Sequence, residues 1–508
     1  MSELVSLVTS SLSEAAAEQY LDRVTDQAEQ LKTAIADGEF DNPDFAVGLE
    51  MEVYSVDNAS PPQLTAVDDA VFEAGATKEL GVHNAEINTD PDVLDADGLA
   101  RQADRIAAAF DRANTAAARA DERLVTDAMW TLPPSEGSLS YLTETTDEDG
   151  ITLATNMRTD SRYCAIDNDI LRHADGEIVF STTGITRAFP SILFESLATS
   201  IQPHLQIPDA ESFPAYFNAA IRTMGPLVAL AANSPFLPPE LYTDTDDPER
   251  LVDESHHELR IAVFEQSVNQ SPNRKVRVPR DIETVAETVD RVVNDDLYAP
   301  FLREWLTDEP RESVADDLWE FTYKRSTYWR WLRCVVGGDP VGGGDERSLR
   351  IEYRPIPTQP TIADTVGLQW LTVGLITGLV ETSHPLAELP WADAEESFYN
   401  AARDGLDAEL AWLTADGDRT TDHDEIFGEL FDIAETGLAS AGVDDRAIAE
   451  RLDPLRLRIE RGVTPSAWKK GVVREELDAG ADLDRAITTM QERYIDLSRS
   501  TDSFTEWL

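Results

Sequence analysis

The segment F-A-V-G-L-E-M-E-V-Y at residues 45–54 alternates between apolar and other side chains, and this pattern sets the architecture. A period of two predicts a β-strand whose apolar side is buried in a core. The opposite side carries Glu50 and Glu52. The sequence therefore predicts a half-buried strand that presents two carboxylates on one face.

Three further segments share this design of one apolar face and one face of polar groups. They are residues 83–89, 200–207 and 348–354, with polar faces formed by Asn84, Glu86 and Asn88, by Gln202, His204 and Gln206, and by Arg350, Glu352 and Arg354. Pro203 has no backbone N–H to donate, so it predicts an irregular or edge strand. Glu79 lies seven residues before Glu86 and is expected to reach the same face from a strand end or loop.

Helical spacing of apolar residues occurs between and after these strands. It predicts helices at 11–36, 95–125, 190–200, 209–232, 361–381, 394–415 and most of 423–500, with loops or hairpins at 134–185, 239–258 and 336–347. Strands covered by helices on one face predict an α+β fold. We expect an N-terminal helical segment (1–40), a sheet-and-helix domain (41–385) and a mostly helical part (386–508) that completes the same domain.

The longest uncharged apolar stretch, residues 365–380, contains a glutamine and three glycines. It is shorter than the roughly 20 residues that a membrane-spanning helix needs. The stretch is therefore predicted to be a buried helix of the core.

The chain has 97 acidic and 42 basic residues among 508, a net charge of −55. Such a charge repels nucleic acid and anionic membranes, so neither is expected as a partner. Only six of the basic residues are lysines, and an acidic, lysine-poor composition is typical of proteins from halophiles. Two cysteines are too few for a disulfide framework, and the N-terminus has no basic region typical of a signal peptide. We expect a cytoplasmic protein, whose oligomeric state the sequence leaves open.

The simplest interpretation of the acidic faces is that they are solvated, because acid-x-acid triplets are common in so acidic a chain. His204 alone suits a structural role, and Arg260, Arg354 and Arg403 suit surface ion pairs. The combination across four strands favours a site instead, since carboxylates about 4 Å apart repel by about 4 kcal/mol at an effective dielectric of about 20. Divalent cations relieve such repulsion, and Mg²⁺ prefers carboxylate and phosphate oxygens.

Residues 48–54, G-L-E-M-E-V-Y, resemble the opening Gly-x-Glu-x-Glu strand of the glutamate-cysteine ligase and carboxylate-amine ligase family. Five further segments resemble family motifs in the same order. They are E-L-G-V-H-N-A-E-I-N-T at 79–89, H-L-Q-I-P-D-A at 204–210, the helix ending in N-S-P-F at 217–236, I-E-Y-R-P-I-P-T-Q-P-T at 351–361 and N-A-A-R-D-G-L at 400–406. The resemblance runs from about residue 40 into the late four hundreds.

This resemblance implies a glutamine-synthetase-like fold, with a curved, largely antiparallel sheet whose concave face binds ATP and Mg²⁺. By analogy, the metal or ATP-phosphate ligands would be Glu50, Glu52, Glu79, Glu86, His204 and Glu352, with Gln206 as an auxiliary nucleotide contact. Arg260 and Arg354 would stabilise the γ-phosphoryl group and the substrate carboxylate. Family members phosphorylate a carboxylate, often that of glutamate, and an amine such as cysteine then displaces phosphate to form an amide.

The sequence departs from the family at Leu132, where many members have histidine, and at Pro357, where aspartate is usual. Both departures bear on substrate identity more than on ATP chemistry. Two other functions remain open at this point: phosphoryl transfer on the same scaffold without amide formation, and an inactive acidic binding protein. The retained acidic positions argue against the second, because an inactive site gains nothing from mutually repelling carboxylates.

Overall fold

The structure is a computed structural model, and it describes residues 3–310, 313–344 and 346–508. Its strands are β1 (Ala46–Asp57), β2 (Thr77–Lys78), β3 (Asn84–Asn88), β4 (Asp92–Val93), β5 (Glu122–Val125), β6 (Thr145–Glu148), β7 (Ile151–Ala154), β8 (Ile178–Thr182), β9 (Ile185–Phe189), β10 (Ile201–Ile207), β11 (Leu332–Val336), β12 (Leu349–Tyr353), β13 (Trp412–Leu413) and β14 (Arg419–Thr420).

The helices occupy most of the remaining chain. They are α1 (Glu3–Ser11), α2 (Glu14–Ala36), α3 (Asp69–Glu73), α4 (Ala96–Arg119), α5 (Ser138–Thr143), α6 (Ser161–His173), α7 (Phe213–Ala231), α8 (Pro248–Glu254), α9 (Leu259–Val268), α10 (Val285–Val293), α11 (Val314–Asp317), α12 (Trp319–Ser326), α13 (Ile362–Glu381), α14 (Trp391–Asp404), α15 (His423–Ser440), α16 (Asp445–Arg461), α17 (Pro465–Asp478) and α18 (Leu483–Ser500).

The main sheet is antiparallel and curled, with strand order β11-β12-β10-β1-β3-β2. The short strands β4 and β5 also pair with β1. One face is covered by α4 and α13, and the apolar side chains of β1 that point into it, Leu49, Met51 and Val53, are at most 1% exposed. The predicted α+β fold with a curved antiparallel sheet is confirmed.

Residues 200–207 are predicted to form an irregular or an edge strand, and the edge alternative is wrong, because β10 is a central strand between β1 and β12. Pro203 lies opposite Leu49, whose own N–H and C=O bond to Thr89 on the other side of β1. The pairing of β10 with β12 begins at His204, so the missing N–H of Pro203 falls just outside that ladder. A proline is tolerated here because neither neighbouring strand requires its hydrogen bond.

The apolar segment 365–380 lies within α13, the one helix in the described ranges that is long and apolar enough to span a membrane. Its apolar window is 89% buried by the rest of the protein. Helices α7, α15 and α16 pack around it, and Gln369 donates a hydrogen bond of 3.1 Å to the carbonyl of Gly48. The helix therefore belongs to the protein core, as predicted.

Several helix boundaries differ from the prediction. Residues 190–200 form only a short 3-10 helix at Ile192–Leu197, and the helix predicted at 394–415 ends at Asp404 because Gly405 has φ +60°. Helix α6 lies inside the region predicted as loops, where Asp160 caps it by accepting a hydrogen bond from the N–H of Arg162. The apolar residues of α6 are interspersed with Asp and Asn, which weakens its sequence signal.

Candidate active site

The strand register gathers the acidic residues on the face opposite to α13. Glu52 lies opposite Glu86 of β3, while Glu50 lies opposite Gln202 of β10. His204 lies between Gly48 and Glu352, its partners on β1 and β12. The predicted common face of these four strands is confirmed.

A cavity of about 200 Å³ opens on this face. Its polar wall consists of Glu50, Glu52, Glu79, Glu86, Glu195, Gln202, Ser326, Arg162, Arg333 and Arg354. Its apolar wall includes Leu80, Tyr163, Ile166, Ile192, Phe264, Val268 and Trp329. The cavity therefore combines a charged floor with an apolar side, as small-molecule sites commonly do. We call this space the acidic cavity.

A second cavity of about 190 Å³ lies beside it, and Glu50 lines both. The second cavity is bounded by Gly48, His204, Gln206 and Arg350. Gln206 donates a hydrogen bond of 3.1 Å to the carbonyl of Asp44, which fixes its amide at the cavity wall. Two adjoining spaces that share one carboxylate can hold two reactants, or two parts of a large one, next to each other.

Glu352 is held by two arginines. The Nε of Arg333 donates to Oε2 at 2.6 Å, and a terminal nitrogen of Arg354 donates to Oε1. The same nitrogen of Arg354 donates to Gln202 at 2.7 Å. Burial alone would raise the pKa of Glu352, but the two guanidinium groups outweigh it and hold that pKa well below its usual range. A metal ion at Glu352 would have to share this carboxylate with the arginines.

Glu50 and Glu52 lie in contrasting surroundings. Burial tends to raise the pKa of Glu50, but nearby His204 outweighs it, so the pKa is lowered. Glu52 accepts hydrogen bonds from the N–H of Ser200 at 2.6 Å and from Gln202 at 3.2 Å. Burial nevertheless raises the pKa of Glu52 despite the opposing charge of Arg354.

The remaining acids of the cavity are crowded. Burial, followed by repulsion from Glu50 and Glu52, raises the pKa of Glu86 to about 8. Burial and then repulsion from Glu86 raise the pKa of Glu79 well above its usual range. The pKa of Glu195 is also raised to about 8, by burial and then by repulsion from Glu52. The acidic cavity thus has five carboxyl groups against three arginines, and the raised pKa values of Glu79, Glu86 and Glu195 favour their protonated forms.

These residues suit a hard divalent cation in chemical type, because they offer several carboxylates and one imidazole. The Nε2 atom of His204 is buried without a hydrogen-bond partner, so a ligand role would satisfy it. Within the described ranges, no three His, Cys, Asp or Glu side chains converge closely enough to hold an ion in the present arrangement. Binding would therefore require side-chain movement toward the ion.

Arg260 does not line the acidic cavity but contacts the backbone at Arg354. It is buried, donates to Glu258 at 3.2 Å, and donates to the backbone carbonyls of Pro355 and, at 3.5 Å, Arg354. It therefore positions the chain that carries Arg354. The departures from the family motifs also lie outside the two cavities: Leu132 is 2% exposed, and Pro357 forms a bridge with Ser200.

The sequence reasoning missed three charged residues of the acidic cavity: Arg162, Glu195 and Arg333. Arg333 belongs to β11 and lies opposite Glu352 of β12. The β11 segment, L-R-C-V-V, alternates too little between apolar and polar residues to indicate a polar face. Arg162 and Glu195 come from α6 and from the 3-10 helix at Ile192–Leu197. Only the tertiary fold brings these segments over the sheet.

Comparisons with known proteins agree with this geometry. The sequence profile described as glutamate-cysteine ligase family 2 matches residues 46–486. No curated protein matches the sequence. The fold is similar to a glutamate–cysteine ligase from Francisella tularensis in complex with AMP, with a TM-score of 0.51, 14% identity, and coverage of 91% of this chain and 90% of that one.

A bifunctional glutathione synthetase from Pasteurella multocida is similar as well, with a TM-score of 0.50 and 12% identity. The similarity covers 89% of this chain but 52% of that one. At these identities the structural likeness concerns the fold.

Proposed function

The chain belongs to glutamate-cysteine ligase family 2, and from this premise we propose that it is an ATP- and Mg²⁺-dependent ligase that joins a carboxylate to an amine. The observation that carries the proposal is the register of the sheet, which brings Glu50, Glu52 and Glu86 beside Arg354 at one cavity. Acids that attract cations and arginines that attract anions are both needed where a nucleotide meets an anionic acceptor.

Magnesium held by Glu50, Glu52, Glu79, Glu86, His204 and Glu352 would supply positive charge against the phosphate oxygens of ATP. Gln206, in the second cavity, would contact the nucleotide. Arg354 would hold the γ-phosphoryl group or the substrate carboxylate in place, with Arg260 fixing its backbone. Arg333 faces the same cavity and adds a second cation beside Glu352.

The proposed reaction has two steps. One carboxylate oxygen of the acceptor attacks the γ-phosphorus of ATP, which releases ADP and leaves an acyl phosphate. The amine then attacks the acyl carbon, the C–O bond to phosphate breaks, and the products are an amide, phosphate and a proton. The chain contributes by holding both reactants in adjoining spaces, so that the second step is effectively intramolecular.

Glu195 suits the amine side of this reaction. Its carboxylate lines the acidic cavity near the apolar wall formed by Ile166 and Ile192, so it can attract an ammonium group. With a pKa of about 8, Glu195 is mostly protonated at neutral pH, and its ionised fraction, which grows as the pH rises toward 8, is the form that attracts the ammonium group and can accept its proton. We propose glutamate as the carboxylate and cysteine as the first amine to test, by analogy with the family.

Hydroxylamine trapping tests the proposal, because hydroxylamine intercepts activated carboxylates without requiring the pocket of the native amine. The protein is incubated in molar salt with ATP, Mg²⁺, hydroxylamine and a panel of carboxylates that includes glutamate. We expect ADP, phosphate and a hydroxamate in equal amounts. Nucleotide turnover without any hydroxamate would indicate phosphoryl transfer to another acceptor, and absence of turnover at every salt concentration would contradict the proposed enzyme.

A further inference from the structure

A separate pocket of about 320 Å³ is lined by four arginines, Arg277, Arg280, Arg291 and Arg330. Two carboxylates, Asp295 and Asp296, lie among these guanidinium groups, and the rest of the lining is Asn273, Pro279, Asn294 and Tyr328. We call this space the arginine pocket. It is unusual in this molecule, because the chain has fewer than half as many basic as acidic residues and a net charge of −55.

Carboxylates in and near the arginine pocket do not neutralise all four guanidinium groups. Arg330 donates to Asp295 at 2.7 Å, but Asp295 is also bound by Lys275 at 2.5 Å, so its single charge is shared. Arg291 donates to Glu287 at 3.3 Å. Within the described ranges, Arg277 and Arg280 have no carboxylate at ion-pair distance.

Arg277 and Arg280 have different surroundings within the arginine pocket. The guanidinium group of Arg280 lies 3.2 Å from the ring centre of Trp391, which orients it without removing its charge. Burial, and then repulsion from Arg330, lowers the pKa of Arg277. What distinguishes Arg277 and Arg280 from other exposed arginines, such as Arg446, is that they line one pocket together with Arg291 and Arg330. Four converging guanidinium groups favour an anion from outside the chain.

We propose that the arginine pocket binds a small multivalent oxyanion, one that carries a phosphate chain or several carboxylates. The planar guanidinium group presents paired N–H donors that match phosphate and carboxylate oxygens. The volume lies at the small end of the roughly 300–1,000 Å³ range of small-molecule sites. The amide of Asn294 adds a neutral donor at the wall.

The arginine pocket is connected to the acidic cavity through consecutive residues. Trp329 lines the acidic cavity, while Arg330 lines the arginine pocket. The N–H of Trp331 donates at 3.1 Å to the carbonyl of Arg277. An anion bound to Arg277 and Arg330 therefore restrains the segment that leads into Arg333, which makes the pocket suitable as an effector site.

Binding is measured by calorimetry on the full chain, with pyrophosphate and citrate as probes. The buffer is freed of metal on a chelating resin, contains no nucleotide and is held at constant ionic strength. The acidic cavity contains arginines of its own, so binding is assigned to the arginine pocket only where the substitutions in that pocket weaken it. The measurement does not depend on ligase activity. The test variant is Arg277→Gln/Arg280→Gln, and the matched control is Arg446→Gln/Arg461→Gln, two exposed arginines on α16.

We expect one anion per chain and an affinity that falls at least about tenfold in the test variant but not in the control. Tighter binding of pyrophosphate would identify a phosphate ligand, and tighter binding of citrate a carboxylate ligand. Failure of both probes to bind, or equal affinity in the test variant and wild type, would overturn the proposal. A test variant that changes self-association in sedimentation but not anion affinity would overturn it as well. Circular dichroism establishes that both variants are folded.

Discussion

The Nε2 atom of His204 lies 3.2 Å from Oε1 of Glu50, yet the buried imidazole nitrogen has no hydrogen-bond partner. The two groups form an ion pair when the imidazole is protonated, and the lone pair of Nε2 is available to a cation when the imidazole is neutral. The imidazole lies at the wall of the second cavity, and Glu50 lies at the boundary of both cavities. The pair is therefore well placed to bind a cation between the two spaces.

Replacing His204 tests this interpretation. In His204→Gln, we expect the Mg²⁺ concentration for half-maximal activity to rise at least about tenfold, because one of the proposed ligands is lost. His173→Gln, at an exposed histidine of α6, provides the control and should leave the Mg²⁺ dependence unchanged. An unchanged Mg²⁺ dependence in His204→Gln would assign His204 a structural role.

Replacing Glu52 should separate activity from stability. In Glu52→Gln, turnover should fall by orders of magnitude, since a proposed metal ligand is removed. Folding should be preserved or improved, because burial disfavours the charged form of Glu52. Urea unfolding and ADP release measure the two effects, with the exposed Glu450→Gln as control. If Glu52→Gln retained wild-type turnover, Glu52 would not be a metal ligand, and the simpler interpretation of a solvated strand face would apply.

The buried ion pairs Arg458–Asp364 and Arg333–Glu352 should respond differently to substitution of the arginine. Arg458 and Asp364 form an ion pair with fully buried side chains, away from the acidic cavity. Arg458→Met should cost about 3–5 kcal/mol of unfolding free energy, because it leaves a buried charge unpaired. Arg333→Met should lower the unfolding free energy by less, because Arg354 still binds Glu352. Relative to that loss of stability, it should lower turnover more than Arg458→Met does. For each variant, the loss of turnover is divided by the loss of unfolding free energy. The same ratio in Arg333→Met and Arg458→Met would contradict a role for Arg333 in the site.

Glu195 should produce a characteristic pH dependence of stability. Its pKa of about 8 exceeds the unfolded value near 4.3, so between these values the folded state binds the proton and the unfolded state does not. Raising the pH from about 4.5 to 8 should therefore destabilise wild type relative to Glu195→Gln, by at most about 1.4 kcal/mol per pH unit. The difference should level off above pH 8. A pH-independent difference in unfolding free energy would contradict the raised pKa.

Salt should stabilise the protein strongly. Self-repulsion among the excess charges, which sum to −55, is screened over about 3 Å at 1 M salt but over about 30 Å at 0.01 M. We expect the melting temperature to fall as potassium chloride is diluted. A melting temperature independent of salt would contradict the halophile interpretation.

The strands were predictable because apolar residues recur at every second position, which is also the period with which the side chains of a strand alternate between the buried and the open face. Residues 45–54 indicated both the apolar face and the acidic face of β1, and the register confirms them. Pro203 was misjudged because the cost of a missing N–H depends on the neighbouring strands, which the local sequence does not specify. Sequence could not associate Arg333 or Glu195 with the cavity, because each reaches it through contacts distant along the chain.

Oxygen transfer from the acceptor to phosphate tests the central claim most directly. Glutamate labelled with ¹⁸O in its γ-carboxylate is incubated with ATP, Mg²⁺ and cysteine in molar salt, and the released phosphate is analysed by mass spectrometry. If the carboxylate attacks ATP and an amine then displaces phosphate, each phosphate released should contain one ¹⁸O atom from glutamate. Amide formation that yields phosphate without ¹⁸O would contradict an acyl phosphate and the assignment of the acidic cavity to this chemistry.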